Sequence, residues 1–266
     1  MSRIIVVTSG KGGVGKTTLT ANLGVALSKL NKKVVLVDAD FGLRNLDLLL
    51  GLENRVVYTA IEAIAGQCRL EQALVKDKRQ PNLALLPAAQ NRNKESITPT
   101  QMRKLILALT KVYDYIIVDC PAGIEMGFRN AISAAQEAII VTNPEITAVR
   151  DADRVIGLLE AFGIKRINLI INRLKPKMVE KNQMMSVEDV LEILAIPLLG
   201  IVPDDEEVII ASNKGEPLVM STAETKPAIA ITNIARRLEG EKVPLMDFSN
   251  YDDNLWSKIR RFFSAT

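Results

Sequence analysis

Residues 10–17 read Gly-Lys-Gly-Gly-Val-Gly-Lys-Thr and follow the apolar run Ile4-Ile5-Val6-Val7. A strand, a glycine turn and a helix in that order let a backbone wrap an anion. Gly10, Gly12, Gly13 and Gly15 allow the chain to curl with its N–H groups turned inward. Lys16 brings a point charge to β- and γ-phosphates, and Thr17 offers a hydroxyl to Mg2+. The helix that starts here and runs on through Thr18 aims its positive end at the same anion. With Val14, these residues make a phosphate-binding loop for a nucleotide such as ATP.

Acidic residues close other apolar runs. Asp38 and Asp40 end the second run, and Asp119 ends Tyr115-Ile116-Ile117-Val118. Mg2+ takes few direct carboxylates and keeps phosphate oxygens and water as its remaining ligands. Thr17, Asp38 and Asp119 are therefore the expected metal side, with Asp119 reaching the ion through Thr17 or a water. Two carboxylates two residues apart could hold a metal-bound water and an attacking water. An acidic turn after a strand is the plainer alternative. Asn172-Arg173 and Pro203-Asp204 also follow apolar runs, and by themselves they read as turns.

The elements that must carry these residues alternate. Apolar, β-branched runs at 4–8, 34–38, 83–87, 115–119, 138–142, 167–171 and 198–202 predict strands buried on both faces. Helical patterns lie near 16–30, 100–112, 125–135, 146–162, 187–194 and 227–238. This rhythm predicts a doubly wound, mostly parallel α/β sheet with helices on both faces and ligands beyond the carboxyl ends of its strands. The ATPase domain is expected at 1–240, a polar linker at 241–253 and a separate helix at 254–266.

Composition narrows the function. With 266 residues and 48% hydrophobic content, the chain can bury the core of one large domain. Basic and acidic residues number 34 and 31, so no global basic field argues for DNA. The absence of histidine removes Ser-His-Asp hydrolysis and histidine metal sites. Cys68 and Cys120 form no Cys-x-x-Cys or zinc pattern, which suits a reducing, cytoplasmic setting. The opening residues run straight into the first strand, so no signal segment is expected. No apolar run approaches the ~20 residues that span a bilayer.

Lys11 could be a solvated loop lysine. Its place inside this glycine turn nevertheless resembles the deviant Walker A ATPases. The strings Phe41-Gly42-Leu43-Arg44-Asn45-Leu46-Asp47, Thr142-Asn143-Pro144-Glu145 and Val149-Arg150-Asp151-Ala152-Asp153-Arg154 are closely similar to the MinD branch of that superfamily. The resemblance runs the length of the chain. It implies an Mg2+- and ATP-dependent homodimer in which Lys11 reaches the partner's nucleotide. Lys16 shares the catalytic work, and Asp40 orients the attacking water. It implies adenine recognition by Asn172 and Arg173, with Pro203 and Asp204 closing over the base. Gly123 would sense the γ-phosphate, and Asn45, Asp151 and Asp153 would lie near the dimer or partner surfaces. Placement of the division septum, a MinC-like inhibitor and a MinE-like activator are the implied outputs. The rivals are a ParA-like partition ATPase acting on DNA, a metal-cluster carrier, for which the cysteines are missing, and a nucleotide-gated membrane adaptor with little hydrolysis.

The end of the chain reads Asn-Leu-Trp-Ser-Lys-Ile-Arg-Arg-Phe-Phe-Ser. On a helix Leu255, Trp256, Ile259, Phe262 and Phe263 share an arc of roughly 120°, with Lys258, Arg260 and Arg261 outside it. An apolar face flanked by cations suits an anionic membrane surface. A helix docked on the protein or on a partner would show the same pattern. The resemblance favours the membrane: peripheral binding at the inner face of the cell membrane, with two tails per dimer binding far better than one.

Overall fold

The computed structural model describes residues 2–41, 43–89, 97–124 and 126–246. The expected helix at 254–266, with its eight named residues, lies outside them, as do Gly42 and part of the linker. The strands are β1 (Arg3–Thr8), β2 (Val34–Asp38), β3 (Val75–Lys76), β4 (Leu83–Leu86), β5 (Tyr115–Asp119), β6 (Glu137–Thr142), β7 (Arg166–Leu174) and β8 (Leu198–Pro203). They form one sheet in the order β3-β4-β2-β5-β1-β6-β7-β8. Every neighbouring pair is parallel except β3 with β4. All the expected strands are present. β3 is the addition, and a two-residue strand carries no period to read.

The helices are α1 (Lys16–Lys29), α2 (Leu46–Leu49), α3 (Ala60–Ile64), α4 (Leu70–Ala73), α5 (Pro99–Leu109), α6 (Met126–Ile132), α7 (Ile146–Ala161), α8 (Pro176–Glu180), α9 (Val187–Leu194), α10 (Glu206–Asn213) and α11 (Lys226–Leu238). α5 starts one residue before the expected 100. Thr98 caps it, accepting from the Gln101 N–H while the Gln101 side chain accepts from Thr98, and Pro99 takes the first helical position. α6 stops at Ile132, short of the expected 135, where the Ser133 hydroxyl donates to the Asn130 carbonyl at 2.8 Å. α10 gave no sequence signal because Ile209 and Ile210 are both exposed, so it has no apolar stripe. Asp205 caps it by accepting from the Glu207 N–H at 2.9 Å.

The strands alternate between two apolar layers. Ile4 and Val6 face a layer filled by α5, α6, α7 and α9. Ile5 and Val7 face one filled by α1 and α11. From β1 the chain moves through α1 to β2 on one side; from β5 it crosses β1 to reach β6 on the other. The sheet order therefore reverses around β1, and the crevice opens beyond that strand's carboxyl end.

The opposite end of the sheet is tied by two arginines. Arg3 donates from Nε to Glu137 Oε1 at 2.8 Å, from Nη2 to Oε2 at 2.6 Å, and from Nη1 to the Tyr115 hydroxyl and the Leu238 carbonyl. Glu137 is buried and is also approached by the exposed Arg166 at 3.4 Å. Arg237 donates to the carbonyls of Leu199, Val243 and Pro244, which holds the start of the 241–253 segment against the domain. Arg3→Ala would leave Glu137 buried with one distant cation. It should lower the unfolding free energy in urea by about 3 kcal/mol, and a loss below 1 kcal/mol would show the network to be dispensable.

Candidate nucleotide-binding site

The phosphate loop is held from both sides. At Gly10 a Cβ would fall on the backbone carbonyl of Asp151 in α7. On the other side, the Asn172 amide of β7 donates to the Val14 carbonyl at 2.8 Å, and a Cβ at Gly15 would strike that amide. Gly15 caps α1 with φ +96°, a backbone that side chains disfavour. Lys16, the first residue of α1, is 7% exposed beneath the loop. The Ser9 hydroxyl donates to the Lys11 carbonyl at 2.7 Å.

Beside the loop two carboxylates sit in register. Asp38 ends β2 directly opposite Asp119, which ends β5. Both are buried. Asp38 accepts from the N–H of Asp40 at 2.9 Å and of Leu46 at 3.3 Å. Asp119 Oδ1 accepts the Thr20 hydroxyl at 3.0 Å, and the Thr17 hydroxyl also bonds to this carboxylate. Burial, reinforced by the charge of Asp119, pushes Asp38 up to about 8. Burial pushes Asp119 up to about 6, against the pull of Thr17, Lys16 and Thr20. Carboxylates forced together with this little compensation suit a cation. Thr17, Asp119 and Asp38 fit Mg2+ that shares its shell with phosphate oxygens and water. The described residues hold no group of three His, Cys, Asp or Glu that would cage a metal alone. Cys120 is packed chemistry-free between these parts, its thiol pushed up to about 12 by burial.

A second cavity, about 280 Å³, adjoins the loop. Gly15 and Thr18 form its wall on one side; Asn172, Arg173, Pro203 and Asp204 face them. The turns whose residues resembled a base-binding set are thus brought to one cleft beside the phosphate loop. Arg173 is held at φ +56°, uncommon for a side chain of its size. It also lines a groove of about 720 Å³ with Glu145, Lys175 and Asp204. Lys175 reaches Asp204 at 3.4 Å.

The remaining expected residues spread over the rim. Lys11 Nζ lies 3.7 Å from Glu145 Oε2, just before α7, and both side chains are about half exposed. Asp151 is on α7 behind the loop and approaches Arg154 at 3.7 Å. Asp153 is exposed and points elsewhere, since two residues along a helix rotate by roughly 200°. Asn45 is exposed at the head of α2. Gly123 follows β5 with φ +87°. Asp40 and Phe41 face Pro121 and Ala122 across a cavity of about 390 Å³ between the two strand-end loops.

Comparison with known proteins decides the family. Residues 5–218 match the CobQ/CobB/MinD/ParA nucleotide binding domain. The septum site-determining protein MinD of Synechocystis sp. is 66% identical over 261 residues, which cover 98% of each chain. The chain belongs to the MinD family. Among solved structures, MinD in the Aquifex aeolicus MinC:MinD complex superposes with a TM-score of 0.86 at 49% identity, covering 92% of this chain and 99% of that one. The Pyrococcus horikoshii MinD complexed with Mg-ADP superposes with a TM-score of 0.82 at 34% identity, covering 91% and 100%.

For a MinD-family ATPase, three groups went unread in the sequence. Thr20, one helical turn beyond Thr17, holds Asp119. Lys175 and Val208 are among the further residues that line the second cavity. Thr20 could have been found from the three-residue spacing that stacks it on Thr17; Lys175 lies in the turn after β7, and Val208 sits on α10, which has no apolar stripe to read.

The acidic pair has a consequence for stability. Unfolded Asp38 loses its proton near its ordinary value of 3.8, whereas the ligand-free fold retains it to about 8. The fold therefore loses stability as pH rises between these values. In EDTA without nucleotide, Asp38→Asn should be more stable than the parent by about 2 kcal/mol at pH 8. The gap should narrow by pH 5. Urea melts at both pH values check this, and a gap independent of pH would contradict it.

Proposed function

We propose that the chain is an Mg2+-dependent ATPase that dimerises on ATP, binds the membrane reversibly and recruits a division inhibitor, so placing the septum. The observation that carries the reading is Lys11. This second lysine of the loop stands exposed at the crevice mouth on a weak partner, while Lys16, Thr17, Asp38 and Asp119 already form a complete inner site.

In this reading the loop N–H groups and Lys16 bind the β- and γ-phosphates. Asn172, Arg173, Pro203 and Asp204 enclose the base. Thr17 and Asp119, with Asp38 behind, would hold Mg2+, which would neutralise phosphate charge when bound. Asp40 orients water for in-line attack on the γ-phosphorus, and ADP departs carrying the leaving oxygen. Lys11 exchanges Glu145 for phosphate oxygens on the partner's nucleotide, so the closed dimer and the complete catalytic set appear together. Glu145 releases it readily, because an exposed ion pair is worth less than about 1 kcal/mol. Gly123 senses the γ-phosphate from the second strand-end loop. Asn45, Asp151 and Asp153 lie where a dimer partner or a regulator would meet the crevice.

The Mg-ADP complex of the Pyrococcus relative supports the nucleotide and metal, and the Aquifex MinC:MinD complex supports an inhibitor of MinC type. A MinE-type activator would then set the rate of release. Among the described residues no helix is long and apolar enough to cross a membrane. The tail would lie on the bilayer surface instead, through Leu255, Trp256, Ile259, Phe262 and Phe263, with its basic residues among headgroups. Two tails on one dimer make the second binding event intramolecular, which couples nucleotide state to location.

Sedimentation with anionic liposomes tests this. ATP should bring the full chain down and ADP should not, and a version ending at Asp253 should stay in solution with either. Asp40→Ala should bind ATP and remain on the vesicles. Sedimentation indifferent to nucleotide would refute the coupling, and normal cycling by Asp40→Ala would point to an adaptor that does not depend on hydrolysis.

A further inference from the structure

The two carboxylates at the strand ends are held by different kinds of donor. Both oxygens of Asp38 accept backbone N–H groups, Oδ1 from Asp40 at 2.9 Å and Oδ2 from Leu46 at 3.3 Å. The path of the chain fixes those donors. Asp119 instead accepts two hydroxyls of α1, from Thr17 and from Thr20, the latter 3.0 Å from Oδ1. A hydroxyl rotates, and the one on Thr17 has a second task. It would offer a lone pair to Mg2+ while its single proton goes to Asp119. It can do both only while the carboxylate stays in place.

Thr20 is built to keep it there. Its side chain lies in the interior, 0% exposed, so bulk water does not compete for the bond to Asp119. A threonine inside a helix commonly turns its hydroxyl back to the carbonyl four residues earlier. Thr20 reaches across to the end of β5 instead. The helix lies close enough to the sheet for so short a side chain to span the gap. At Gly24, one turn further along the same face, a Cβ would come within 2.7 Å of the Leu36 side chain in β2. Two further residues hold α1 at this height. The Asn22 side chain accepts the Val219 N–H at 3.0 Å, and Lys29 donates to the Val219 carbonyl. Thr20 thus acts from a fixed helix on a carboxylate that has no backbone donor among the described residues.

We propose that Thr20 is a positioning residue for the metal: it pins Asp119 so that Thr17 can donate to that carboxylate and serve Mg2+ at the same time. The proposal rests on the Mg2+ site read above and deepens it. It makes the metal's contribution to nucleotide affinity depend on a side chain outside the phosphate loop. Without Thr20 the carboxylate would be steered by Thr17 alone, the hydroxyl that the cation also needs. The bond touches none of the groups that would hold phosphate or base, so nucleotide binding without metal is independent of it.

The test measures the affinity of the full chain for a fluorescent N-methylanthraniloyl ADP, in Mg2+ and in EDTA. The ratio of the two isolates what the metal adds. Thr20→Val keeps the shape and removes the donor; Thr20→Ser keeps the donor and loses a methyl. Thr20→Val should lower the ratio about tenfold, as the loss of a residue that orients a metal-side group does. Its affinity in EDTA should match the parent, and Thr20→Ser should restore most of the ratio. A role in packing alone would shift the urea midpoint and leave the ratio at the parent value, which would overturn the proposal. If Thr20→Val does not fold, Thr20→Ala against Thr20→Ser makes the same comparison, and equal ratios would overturn it. Asp119→Asn separates this inference from the site beneath it. If that variant loses the ratio while Thr20→Val keeps it, the role of Thr20 falls and the metal site stands. If Asp119→Asn itself keeps the parent ratio, the metal site falls and the role of Thr20 with it.

Discussion

The site depends on one close approach. The phosphate loop meets α7 so tightly that position 10 has no room for a Cβ, and that fit fixes where everything at the crevice mouth stands. It sets Lys11 beside Glu145, presents Asp151 behind the loop, and leaves the first turn of α7 on the same rim as the nucleotide. Asn172 secures the other flank by its bond to Val14. A loop gripped by two elements has its N–H groups aimed before ligand arrives, so little reorganisation opposes binding.

Charge supplies the complementary half. Asp38 and Asp119 are forced together by strand register, and burial raises both. The ligand-free fold carries this arrangement at a cost in stability. A cation with phosphate oxygens would relieve it, which in the proposed reading ties the metal to the nucleotide rather than to the protein alone. Destabilised groups of this kind are expected where function outweighs fold optimisation.

Much of this was legible in the residues. The loop, the strands and the acidic strand ends follow from glycine spacing and uniformly apolar β-branched runs, because a sheet buried on both faces writes itself as continuous hydrophobicity. By themselves the residues of the cleft beside the loop were legible only as turns: that 172–173 and 203–204 lie side by side depends on β7 and β8 being neighbours, which local sequence does not encode. The Lys11–Glu145 contact spans more than a hundred residues and arises from the Gly10 fit. α10 stayed hidden because its isoleucines face solvent, and β3 because it is too short for a period.

The proposed switch turns on Lys11 leaving Glu145 for a partner's nucleotide. Sedimentation velocity of Asp40→Ala, which should hold ATP unhydrolysed, tests that step most directly. A dimer in Mg-ATP, a monomer in Mg-ADP, and a monomer in both once Lys11→Ala is added, with nucleotide still bound, are the predicted results. A monomer in both nucleotides, or a dimer that survives the loss of Lys11, would contradict the account.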